Sequence, residues 1–143
     1  MAKSKASIRT ISLPVFYRDV IVMYGDLEDV AHRFKSPDEW PVGYKVSKTF
    51  LTRVWRSVKA NIDETLEEHP HLQGVTFVDS GDVYVWLPKW DGRVVLHELY
   101  HTVQRIQDLT GIKDEECCAW LIEYLADSVF HFDDGDCTRR RRK

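Results

Sequence analysis

The stretch VVLHELYHTVQRI, residues 94–106, decides how the rest of the chain reads. His97 and His101 stand four residues apart, and Glu98 follows the first. Val94, Val95, Leu96, Leu99, Val103 and Ile106 make the predicted helix largely apolar. On a helix, positions i and i+4 share a face one turn apart. The spacing therefore predicts two imidazoles side by side. Two neutral imidazoles so placed suit a single Zn²⁺, and a carboxylate beside them can accept a proton from water. The plainer alternative is a surface helix with two solvated histidines. The apolar setting argues against it: imidazoles and a carboxylate turned into a half-buried face are costly without partners, and a metal satisfies all three.

Asp91 is placed to cap this helix, which is expected to run to about Leu109, and Gly111 stands where a helix C-terminus favours glycine. A last helix is expected after Asp114, with Cys118, Leu121, Ile122, Leu125 and Val129 at helical spacing. A catalytic zinc site usually has three protein ligands and a water. The first turn of the last helix offers Glu115 and Glu116, whereas Glu123 lies two turns further on. Glu116 shares a face with Ala119 and Trp120. If that face packs on the motif helix, Glu116 points at the histidines and Glu115 points to solvent.

Upstream, ISLPVFYRDVIVMYG (11–25) reads as a bent or edge strand broken by Pro14, then a cleaner strand at Val20–Tyr24. Asp26 can cap a short helix with Leu27, Val30, Ala31 and Phe34 on one face, and residues 35–45 read as a loop. From Val46 to about Glu68, Phe50, Leu51, Val54, Trp55, Val58, Ile62 and Leu66 recur at helical spacing, with Ser47 as the cap. VTFVD (75–79) and VYVWL (83–87) flank Ser-Gly-Asp, the signature of a hairpin. These pieces predict an α+β fold: a small, mostly antiparallel sheet with a helical layer on one face.

The 143 residues suit one domain, and 43% hydrophobic content is enough for a core. A net charge of −3 offers no basic footprint for non-specific nucleic-acid binding. Three cysteines, Cys117, Cys118 and Cys137, form no C-x-x-C pair and read as free thiols of a reducing compartment. No run approaches the ~20 apolar residues of a membrane span, and the first ten residues lack the apolar stretch of a signal peptide. A cytoplasmic protein is expected.

HELYH followed by DEECCAWL resembles the gluzincin-type zinc metallopeptidases, in particular the small H-E-x-x-H proteins of bacteriophage genomes. The likeness covers about the C-terminal half: the strand VYVWLPKW, the motif helix, a Gly-Ile turn, and a glutamate ahead of an Ala-aromatic-Leu triplet. It implies a zincin-like domain over 8–132, between a loose N-terminus (1–7) and a charged tail (133–143). It implies His97, His101 and Glu116 as Zn²⁺ ligands and Glu98 as general base. VYVWL would border the cleft and take up an extended polypeptide by strand addition. Cys117 and Cys118 depart from the small residue that often follows the glutamate in that pattern. The resemblance implies hydrolysis of a polypeptide in a host bacterial cytoplasm. A second class stays open, a non-hydrolytic zincin-fold protein with structural zinc that binds a host protein.

The remaining features carry plainer expectations. Cys117 and Cys118 read as small buried residues, His69 and His71 as a solvated loop around Pro70, Trp86 and Trp90 as core or rim. Tyr124 and His131 are remote candidates for an oxyanion donor, and RRRRK reads as a solvated tail.

Overall fold

A computed structural model describes residues 6–13, 16, 18–40 and 46–130. Among the described residues the element order is β1 (Ser7–Leu13), β2 (Arg18–Tyr24), α1 (Leu27–Phe34), a 3₁₀ turn (Pro37–Glu39), α2 (Lys48–Glu68), β3 (Val75–Asp79), β4 (Asp82–Leu87), α3 (Gly92–Thr110) and α4 (Glu115–Phe130). The architecture is α+β, a mixed four-stranded sheet ordered β1-β2-β4-β3. β1 and β2 form an antiparallel pair, β2 runs parallel to β4 from Val20↔Val83 to Tyr24↔Leu87, and β3 closes antiparallel on β4.

Local chemistry sets the boundaries. The Ser47 hydroxyl accepts from Phe50 N at 3.1 Å and starts α2. Asp91 accepts from Arg93 N at 2.9 Å and starts α3, and Asp114 does the same for α4 through Cys117 N. Gly111 ends α3 in the left-handed region at φ 76°, where a side chain would be strained. Ser80 and Gly81 make the β3–β4 turn with φ of 53° and 88°, the two positive values of a tight hairpin.

The sheet is covered on both sides, which corrects the expectation of helices on one face. Val20, Val22, Val83, Val85 and Leu87 pack against Val95, Leu99, Val103 and Ile106 of α3 and against Leu121, Leu125 and Val129 of α4. The alternate residues Ile21, Met23, Tyr84 and Trp86 turn to the opposite face, where Val30 and Phe34 of α1 and Trp55, Val58 and Ile62 of α2 meet them. Period-two alternation sends successive side chains to opposite faces, so strands apolar at every position need cover on both. A second correction concerns VYVWL. β4 lies between β2 and β3, with both edges already hydrogen-bonded, and cannot take up another strand. β3 is the edge strand on that side.

The chain enters the fold early: Ala6 is buried and Ser7 opens β1. Residues 1–5, His131, Cys137 and the tail 133–143 lie outside the described residues. No helix among the described residues is long and apolar enough to cross a membrane.

Candidate metal centre and cleft

Residues 94–106 are helical throughout. α3 buries Val95, Leu99, Thr102, Val103 and Ile106 and turns His97 and His101 to its margin. The two rings meet edge-on, with centroids 4.7 Å apart, and their Nε2 atoms approach to 3.1 Å. Zn–N bonds of about 2.0–2.1 Å at a tetrahedral angle would hold two nitrogens roughly 3.3 Å apart. The pair therefore fits two ligand positions of one ion.

Glu98 is only 5% exposed although it carries a carboxylate. Its Oε1 accepts a hydrogen bond from the Thr76 hydroxyl on β3 at 2.6 Å, and its backbone carbonyl accepts from Thr102 Oγ1 at 2.8 Å. Gly74 lies close to the same side chain. A Cβ added at Gly74 would lie 2.8 Å from Glu98 Cγ and 3.0 Å from Oε2. A cleft of about 440 Å³ opens over this arrangement, lined among others by His71, Gly74, Asp91, Arg93, His97 and Glu98. It lies between the N-terminal half of α3 and the loop that leads into the edge strand.

The third expected ligand is not with the other two. Among the described residues no three His, Cys, Asp or Glu side chains gather as a metal-holding group. Glu115 and Glu116 are both exposed in the first turn of α4. Glu116 faces the histidines if the Ala119 side packs on α3. Instead Ala119 and Trp120 are exposed, Trp120 by 44%, and α4 docks through Leu121, Leu125 and Val129. In this arrangement Glu116 stays on the solvent side.

Cys117 and Cys118 are half-buried free thiols against the α3/α4 core. Trp86 is buried and donates from Nε1 to Gly25 O at 2.9 Å, and Trp90 stands edge-on to Tyr24 and Phe130. The Tyr124 hydroxyl donates to Ser12 O at 3.0 Å, which ties α4 to β1. His71 is exposed, as a loop residue should be, yet it lines the same cleft as His97. Sequence reasoning missed Thr76 and Gly74. The available signal was a hydroxyl between the apolar residues Val75 and Phe77, two positions after a glycine.

Compared with protein-family models, with curated proteins and with solved structures, the chain has no significant match.

Proposed function

We propose that the chain is a zinc-dependent peptidase. The observation that carries this reading is the pair of converging imidazole nitrogens 3.1 Å apart, beside a buried carboxylate that lines one cleft with His97. His97 and His101 would hold the ion, with Glu116 or Glu115 as third ligand once the first turn of α4 is drawn toward α3. When bound, zinc would lower the pKa of a water toward ~7 and polarise a carbonyl. The chain's own residues would do the rest. Glu98, with Oε1 engaged by Thr76, keeps Oε2 toward the cleft to accept a proton from water and return it to the leaving amine. The edge strand β3 offers unpaired backbone groups to an extended polypeptide, and His71 and Arg93 stand at the cleft wall.

A second reading is a non-hydrolytic protein that binds a partner through this face. Glu98→Gln separates the two. Under the peptidase reading the variant keeps its fold and zinc, and loses about 10²–10⁴-fold in cleavage rate. Under the binding reading, whatever the wild type does in cells persists in Glu98→Gln and disappears in His97→Ala/His101→Ala.

A further inference from the structure

Deepening the peptidase reading, on which it rests, we propose that Thr76 is a positioning residue for Glu98, so that the strand expected to receive the substrate also sets the orientation of the base. Three observations converge on this side chain. Glu98 is nearly sealed from water, and the 2.6 Å bond from Thr76 Oγ1 is the side-chain contact that satisfies its carboxylate. The partner comes from the sheet, 22 residues earlier in the chain, and from β3, whose pairing among the described strands is to β4 alone. Gly74, two residues before Thr76, leaves the space that this carboxylate fills: a Cβ there would lie 2.8 Å from Glu98 Cγ and 3.0 Å from Oε2. The hydroxyl holds Oε1 against the strand, and Oε2 lies beside Gly74, which lines the cleft together with Glu98.

The bond is also directional. Ionised Glu98 can only accept, and the Thr76 hydroxyl must donate to it. Bonds of this charge-assisted kind are the stronger ones. A base held this way keeps its geometry without help from the metal ligands, and removing the donor frees the carboxylate to rotate. Misplacement by about 1 Å is enough to cost on the order of 10²-fold in rate.

The test uses the full-length zinc-loaded protein and a mixture of unstructured peptides read by mass spectrometry, with kcat and KM then measured on the peptide cut fastest. Thr76→Val keeps the shape of the side chain and removes the hydroxyl. We expect kcat to fall about 10–100-fold, KM to stay within about twofold, and zinc per chain to be unchanged. Thr76→Ser should restore kcat to within about threefold. Thr76→Val should add nothing to the loss already present in Glu98→Gln, since residues acting as one unit are not additive. Thr52→Val, whose hydroxyl bonds Lys48 O on the exposed face of α2, is the control. Should Thr76→Val fold poorly, Gly74→Ala puts a methyl group against the same carboxylate and is expected to lower kcat in the same way. Unchanged kcat in a folded Thr76→Val, a loss that serine does not restore, or a loss matched by loss of zinc overturns the proposal while leaving the peptidase reading intact. A wild-type protein that binds zinc but cuts no peptide in the mixture overturns both.

Discussion

Glu98 is a buried carboxylate whose side-chain partner is a hydroxyl rather than a cation. A structural role alone gives little reason to keep a charge there, because an apolar or amide side chain is cheaper to bury. That cost is what makes the residue worth testing as a base. Gly111 is the contrasting case, a residue whose role is purely conformational. It holds φ 76° with open space around the position of a Cβ, so replacement adds backbone strain and no collision. Gly111→Ala should lower stability by about 1 kcal/mol, measured by urea unfolding, because the left-handed region costs an L side chain about that much. An unchanged midpoint would mean that the α3–α4 turn relaxes. The H-E-x-x-H pair was legible from sequence because its geometry is local, four residues on one helix. Thr76 was not, because its relation to Glu98 exists only once β3 docks beside α3.

At the scale of elements, caps and turns followed from short-range chemistry, and docking did not. Ser47, Asp91, Asp114 and Gly111 each act within a few residues, so helix ends could be read directly. Which face α4 presents to α3 depends on which apolar residues win the shared core. Leu121, Leu125 and Val129 win it, and Glu116 is carried to the solvent side with Ala119 and Trp120. The β3–β4 hairpin supplies a pH-dependent prediction. Burial raises the Asp82 carboxyl above its ordinary value, the Asp19 N–H that donates to it at 3.1 Å pulls it back, and the Asp19 charge raises it further. A carboxyl with a raised folded pKa favours the fold while protonated, below its unfolded pKa, and that contribution is lost as pH rises through the folded pKa. Asp82→Asn keeps an oxygen acceptor for Asp19 N–H and removes the charge. It should raise Tm at pH 7 by about 1–3 °C, and the gain should vanish in acid, where Asp82 is protonated anyway. A gain that persists unchanged at low pH would show that the charge is not its source.

At the scale of the whole molecule, the α+β class was legible and the layering was misread. A sheet with one wet face alternates apolar and polar residues. VIVM and VYVWL do not alternate, and that is the signal for cover on both faces, by α1 and α2 on one and α3 and α4 on the other. The same packing makes β4 internal and leaves β3 at the margin, next to the cleft and to Glu98. The histidines then sit at the rim of α3, reachable from solvent, while the carboxylate beside them is held by the sheet. Under the proposed function this rim binds zinc through His97 and His101. The direct measurement is elemental analysis of the purified protein after equilibration with Zn²⁺ and removal of the excess. One zinc per chain in the wild type, lost in His97→Ala/His101→Ala, is the predicted result; zinc retained by that double variant, or a wild type that binds none, would contradict it.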